Sequence, residues 1–214
     1  MENLIIRQEE PRDYAAVEML TREAFWNVNT PGCDEHYLVH VMRGHPDVIE
    51  ELDLVAELDG KLVGSVLYTR TRLVDEAGNE KPILTFGPLS VLPEYQRRGI
   101  GKRLLAVSFE KAAAMGYDTI VIFGSPANYA TSGFKSSQKY NICIGTDTFP
   151  MSLLVKELKP GVLDGRRWSF VESPAMEMDP EEAECFDRNF PPRQKGWQST
   201  QEEFYIYSHA RLKG

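Results

Sequence analysis

No apolar run in this chain of 214 residues approaches the roughly 20 residues that a membrane-spanning helix needs. The polar, acidic start Met1-Glu2-Asn3 does not read as a signal peptide. These absences lead us to expect a soluble protein of the cytoplasm, with no membrane partner. Cysteine is scarce: Cys33, Cys143 and Cys185 are widely spaced and form no Cys-x-x-Cys pair. Neither a zinc site nor a redox dithiol is expected, and the three read as ordinary thiols of a reducing compartment. Of four histidines, His36 and His40 have the i, i+4 spacing that sets two ligands on one helix face, but a metalloprotease glutamate and an obvious third ligand are missing. No metal is therefore expected. Ser125 follows Gly124 without the Gly-x-Ser-x-Gly elbow of a serine hydrolase. No internal repeat or low-complexity tract is present. Positive charge is also short: 24 Lys and Arg against 32 Asp and Glu leave a formal charge of −8. That balance argues against binding nucleic-acid backbone, which draws its affinity from phosphate neutralisation, and slightly favours cationic partners.

What is present suffices for one compact domain, with 42% apolar residues to build a core. Leu4 to Arg7 reads as a short strand. The stretch Arg12 to Trp26 reads as a helix with Tyr14, Val17, Leu20 and Ala24 on one face, and Glu35 to Arg43 as a second helix ahead of His45-Pro46. Leu52 to Leu58 and Lys61 to Thr71 are strand-like, joined by Asp59-Gly60, a strong two-residue hairpin signal. A looser turn through residues 75–79 returns the chain into Ile83 to Val91, apolar at nearly every position as a strand buried on both faces would be. After a helix carrying Leu104, Leu105, Phe109, Ala112 and Ala113 and stopped at Gly116, Thr119 to Phe123 is a buried strand. Strand, crossover helix and strand make a right-handed parallel unit, so the sheet is expected to be mixed. Asn128 to Ser132 reads as a helical turn, with Phe134 to Gln138 and Met151 to Glu157 as short strands. Asp179-Pro180-Glu181-Glu182 opens a helix, Phe204 to Tyr207 suggests a terminal strand, and Trp168 and Trp197 suggest a packed surface extension.

The segment that carries chemistry is Val91-Leu-Pro-Glu-Tyr-Gln96-Arg97-Arg98-Gly99-Ile100-Gly101-Lys102-Arg103, between the buried strand and its following helix. A glycine-bearing loop there lets backbone N–H groups and a helix N-terminus converge on an anion. Arg97, Arg98, Lys102 and Arg103 place four positive charges within seven residues, where they oppose the helix dipole unless an anion sits among them. A Walker A loop would need Ser or Thr after Gly101-Lys102, where Arg103 stands, and an earlier glycine that is absent. A dinucleotide fingerprint would need a small residue where Leu104 stands.

What remains is Gln-x-x-Gly-x-Gly at 96–101, which resembles the pyrophosphate loop of the GNAT superfamily of acyl-CoA-dependent N-acetyltransferases. Tyr129-Ala-Thr-Ser-Gly133-Phe134 is similar to that family's Tyr-x-x-x-Gly-Phe signature. The resemblance covers about residues 3–157 and is nearest to the bacterial YhbS-like branch. It implies an α/β fold: a GNAT-type mixed, mostly antiparallel twisted sheet flanked by helices and splayed around the central parallel strand pair. It also implies an acetyltransferase domain over residues 1–158 and a C-terminal extension, 159–214, packed on it. Acetyl-CoA would be the donor. Backbone groups of Leu89 and Val91 would bind its pantetheine arm, N–H groups from Arg97 to Gly101 its pyrophosphate, and Lys102, Arg103 or Arg97 its 3′-phosphate. Gln96, Arg98, Ile100 and Asn128 belong to the same cofactor-binding set, and Leu89 or Ser90 would offer an N–H to the acyl oxygen. Tyr129 occupies the place of the general acid that captures the leaving thiolate.

Two departures from the family pattern matter. No carboxylate lies in Ile83 to Val91, so a base for the acceptor must come from Glu23, Glu35, His36 or Glu51, of which Glu23, late in the first helix, is the choice. Ile122 stands where many relatives carry a cofactor-binding Asn, a role that Asn128 or Ser125 could partly take. The function implied is acetyl transfer to a primary amine of a small molecule or peptide. The alternatives are a noncatalytic acyl-CoA-binding module or an acyltransferase for longer acyl groups. The C-terminal aromatics could support a homodimer.

Overall fold

A computed structural model describes residues 3–213; the reading of Met1 and Glu2 as no leader lies outside them. In chain order the elements are β1 (Leu4–Gln8), α1 (Tyr14–Phe25), α2 (Glu35–Met42), β2 (Leu54–Leu58), β3 (Lys61–Asp75), β4 (Glu80–Val91), α3 (Ile100–Ala114), β5 (Thr119–Phe123) and the single turn α4 (Pro126–Tyr129). There follow β6 (Lys135–Ser136), β7 (Ile142–Cys143), β8 (Phe149–Pro150), β9 (Leu153–Glu157), β10 (Trp168–Val171), α5 (Pro180–Asp187), α6 (Ser199–His209) and β11 (Arg211–Leu212). The main sheet runs β1-β2-β3-β4-β5-β9-β6, with β10 and β7 joined off that path through β3. Its pairs along the path are antiparallel except β4–β5, which meet in parallel at one register pair, Leu84↔Ile120.

Local sequence explains much of this. Asp59 and Gly60 take φ of +51° and +80°, the twin left-handed pair of a tight hairpin, and set β2 against β3. Asp179 caps α5 by accepting from the Glu181 N–H, with Pro180 at the first helical position. Strand alternation then divides the core. Leu84, Ile120 and Ile122 turn toward Ile100, Leu104, Leu105 and Ala112 of α3, while Ile83 and Val121 pack with Leu153, Val155 and Phe170 on the other face. Helices α1 and α2 cover that second face through Val17, Val39, Leu38 and Met42 against Val55 and Leu67.

Strand β3 is long enough to use one edge three times: β2 pairs with its first half, Val48 bridges Thr69, and β10 pairs with Arg72 to Asp75. The chain beyond residue 158 thus adds a strand to the sheet.

Four expectations need correction. Phe204 to Tyr207 is helix, not strand: Thr200 Oγ1 and Gln201 Nε2 donate to the Val28 and Asn27 carbonyls, docking α6, and its last turn closes through the Ala210 N–H to Ile206 O. Phe134 to Gln138 contributes a strand only at Lys135–Ser136, because Ser136 then caps a 3₁₀ turn over residues 137–140. Tyr14 leaves the buried face of α1 and lies under the Arg43 guanidinium at 4.1 Å. Trp197 is 72% exposed rather than packed.

Candidate active site

The site begins where β4 and β5 part. Leu92 donates its N–H to Val63 O on β3, so alternation turns the N–H and C=O of Leu89 and Val91 to the opposite side, toward the gap beside β5. Past Leu84↔Ile120 no β5 partner meets them. Ser90 departs from expectation. Its backbone faces β3, paired with Ser65, and its fully buried hydroxyl donates to Thr21 Oγ1 at 3.0 Å. Of the two N–H groups expected to serve an acyl oxygen, only that of Leu89 opens on the gap.

At the end of β4 a turn over Pro93–Tyr95 carries the chain into α3, braced by Gln96 Nε2 donating to Val91 O at 3.1 Å. Arg97 and Gly99 take left-handed backbone, with φ of +61° and +86°. The first helical bond of α3 is Arg103 N–H to Gly99 O at 3.0 Å. Among the described residues, the N–H groups of Arg97, Arg98, Gly99, Ile100, Gly101 and Lys102 donate to no protein acceptor. Six successive donors at the positive end of a 15-residue helix form an anion cradle.

The glycines divide in role. Gly99 needs its left-handed φ, whereas a Cβ on Gly101 would meet only Val91 Cγ2 at 3.7 Å and Leu89 Cδ2 at 3.8 Å, ordinary contacts. The fold does not require glycine at 101; open space beside the strand does. Arg97, Arg98, Lys102 and Arg103 are exposed and, among the described residues, have no acidic partner within 4 Å, although most other arginines do. Arg98 lies 5.2 Å over the Tyr95 ring.

Tyr129 ends α4 across the gap, its ring 5.7 Å from Phe86 and 5.8 Å from Phe134. A Cβ on Gly124 would fall 2.5 Å from the Tyr129 ring, so that glycine makes room for the tyrosine. No hydrogen bond among the described residues engages its hydroxyl. The ring keeps some solvent contact, but the protein packed around it, and secondarily Tyr207, pushes the hydroxyl up to about 12. Asn128 is exposed, its N–H spent on Ser125 O, while Ile122 is wholly buried in the sheet.

The expected base does not fit. Glu23 points to the surface, held by Arg193 Nη1 at 2.6 Å. His36 is fully buried among Phe186, Phe190 and Asp187, with Nε2 3.1 Å from Asp187 Oδ1. Burial favours its neutral form. His40 instead faces Glu18, so the two histidines share no ligand position. Cys33 Sγ lies 3.5 Å from His36 Nδ1, but burial pushes its thiol well above the ordinary range and leaves it inert. Glu51 is exposed on a turn that packs beside α3. Glu35 remains, accepting from Asn29 Nδ2 at 2.8 Å and the Asp34 N–H at 3.2 Å, and burial pushes its carboxyl up.

Sequence reading missed Tyr207. On α6 it stands two turns from the docked Thr200; burial, then Glu203 and Glu35, push its hydroxyl up, and it adds in turn to the upward shift of Tyr129. The spacing of Gln201, Phe204, Tyr207 and Ser208 was the available signal.

Known proteins share sequence and fold with this chain. A sequence model of the acetyltransferase (GNAT) family matches residues 15–134. The uncharacterized N-acetyltransferase YjhQ of Escherichia coli K12 is 33% identical over 107 residues, 50% of this chain and 55% of that protein, so the chain spans about half the length of this curated relative. The crystal structure of E. coli YhbS in complex with CoA superposes with a TM-score of 0.66 at 24% identity, covering 79% of this chain and 91% of that one. A GNAT acetyltransferase from Brucella melitensis in complex with acetyl-CoA gives 0.64 at 24% identity, covering 83% and 100%.

Proposed function

The chain belongs to the acetyltransferase (GNAT) family, and from that premise we propose that it carries an acetyl group from acetyl-CoA to a primary amine of a small molecule or peptide by direct attack in a ternary complex. The observation that carries the reading is the cradle: six unengaged N–H groups and four basic side chains without acidic partners among the described residues, at the end of a strand whose Leu89 N–H and C=O and Val91 N–H meet no β5 partner.

Acetyl-CoA, when bound, supplies an acyl group activated as a thioester. The Leu89 N–H and C=O and the Val91 N–H would meet its pantetheine arm, as a strand edge receives an added strand, while the Val91 carbonyl is held by Gln96. N–H groups from Arg97 to Lys102 would hold the pyrophosphate, and Arg97, Lys102 or Arg103 would supply charge to the 3′-phosphate. The Leu89 N–H stabilises charge growing on the acyl oxygen. Tyr129 keeps its proton throughout the neutral range and delivers it to the departing sulfur, whose own proton affinity rises in the same dry cleft.

The test has two parts. Acetyl-CoA should raise the melting temperature, and failure to do so removes the donor claim. Tyr129→Phe should keep that stabilisation while thiol release with an amine acceptor falls about 10²- to 10⁴-fold. The lack of a carboxylate over Ile83 to Val91 favours one rival, a noncatalytic acyl-CoA-binding module. Stabilisation with no turnover on spermidine, lysine peptides or aminoglycosides would select it.

A further inference from the structure

We propose that Glu35 is the acceptor-side base: it receives the acceptor as a primary alkylammonium and removes one of its protons. This rests on the acetyl-transfer reading above and adds what that reading lacks, a group to free the nitrogen lone pair.

The loop from Asn27 to Gly32 organises this side of the molecule. The Asn27 side chain accepts from Gly32 and Gly196, its carbonyl accepts from Gln201, and the Val28 carbonyl accepts from Thr200. One residue on, Asn29 holds the Glu35 carboxylate at 2.8 Å. A single loop therefore positions both Glu35 and the face of α6 that carries Tyr207. The loop is tied to the donor strand as well, because α1, which leads into it, bonds through Thr21 to Ser90 beside Leu89.

Glu35 differs from the acids around it. Glu23 is paired with Arg193, Asp187 with Arg22, Glu18 with Arg43 and Glu184 with Lys195. Glu35 has hydrogen bonds from a side-chain amide and a backbone N–H but, among the described residues, no cation. A half-buried carboxylate left without a counterion is costly unless a ligand supplies one. Asp34 and Cys33 of its own loop and Tyr207 of α6 interact with it electrostatically and bring no positive charge, while Lys195, which packs on Gly32 and acts on Asp34, is paired with Glu184. Burial raises its proton affinity toward the working range of a general base.

The protons balance. The acceptor enters as an ammonium, and Glu35 takes one proton and passes it to solvent. The freed nitrogen bonds to the acyl carbon, and the electron pair of the carbon–sulfur bond leaves with sulfur. Tyr129 protonates that sulfur and is reprotonated by the second proton the nitrogen sheds. The products are an amide, a thiol and one released proton.

The experiment compares wild type with Glu35→Gln, using acetyl-CoA and n-butylamine from pH 6 to 10. The readouts are thiol release above background and the acetyl-CoA-induced melting shift. Expected at pH 7.5 is a loss of about 10²-fold in kcat/KM, shrinking toward pH 10, where a growing fraction of the amine is already neutral and needs no base. The melting shift should be unchanged. Equal rates in the two proteins at pH 7.5, whether fast or at background, overturn the assignment, as does an equal loss at every pH. Absence of an acetyl-CoA shift in wild type removes the donor reading instead. If Glu35→Gln does not fold, Glu35→Asp decides: a shifted pH profile supports the base, and an unchanged one overturns it.

Discussion

Replacing Gly101 by alanine separates what the fold needs from what a ligand needs. The new methyl group would lie 3.7 Å from Val91 Cγ2 and 3.8 Å from Leu89 Cδ2, without overlap, in the first turn of α3. Alanine is better than glycine in a helix by about 0.5–1 kcal/mol, so the unliganded variant should be as stable as wild type or slightly more. The same methyl projects over the strand edge offered to the pantetheine arm. Suppose it weakens acetyl-CoA binding about 100-fold. A concentration of 100 times the wild-type Kd stabilises wild type by about 2.7 kcal/mol but the variant by only about 0.4 kcal/mol. At about 2–4 °C per kcal/mol for a chain of this size, the ligand-induced shift should shrink from about 5–11 °C to about 1–2 °C. Thermal melts with and without acetyl-CoA, checked by calorimetric titration, measure both effects. A clear fall in the unliganded melting temperature would show that the fold itself demands glycine, and an undiminished acetyl-CoA shift would refute the placement of the donor against Leu89 and Val91.

Other outcomes follow from single contacts. Asp187→Ala strands Arg22, which is 2% exposed, and should cost about 3–5 kcal/mol in urea denaturation, most of it restored when Arg22→Leu is added. Glu23→Gln removes only a surface ion pair with Arg193, so stability should change by less than about 1 kcal/mol and kcat should not change; a collapse in kcat would reinstate Glu23 as the base. Arg97→Ala, Lys102→Ala and Arg103→Ala should each be titrated with acetyl-CoA and its 3′-dephospho analogue. The residue that holds the 3′-phosphate should lose about tenfold in affinity for the first and little for the second.

Features written in adjacent residues were legible from sequence. The Asp59-Gly60 hairpin, the Asp179-Pro180 cap and the strand–loop–helix around Gln96 to Gly101 each depend on a few neighbouring φ values and donors. The parity of strand β4 was legible too, and applying it would have turned Ser90 away from the gap. What escaped was decided at a distance. Glu23 loses its freedom to an arginine 170 positions later, and nothing in the first helix announces that. Phe204 to Tyr207 is a run of aromatic and β-branched residues with strand propensity, overridden by the docking bonds of Thr200 and Gln201. Glu35 could be named only as one acid among several, because its lack of a counterion shows only once the cations near it are known.

The triple use of one β3 edge has a consequence for how the protein is made. A ribosome releases β3 and β4 early, yet Arg72 to Asp75 wait for Trp168 to Val171, nearly a hundred residues later, to cover them. Until then the growing chain carries an open row of backbone donors and acceptors beside the apolar Leu73, the kind of edge on which chains join one another. The closing β10 strand therefore also limits the time for which a newly made molecule can be captured by a neighbour. Truncated chains that end before residue 168 should be recovered mainly in aggregates, even though the donor cradle lies wholly upstream of the cut.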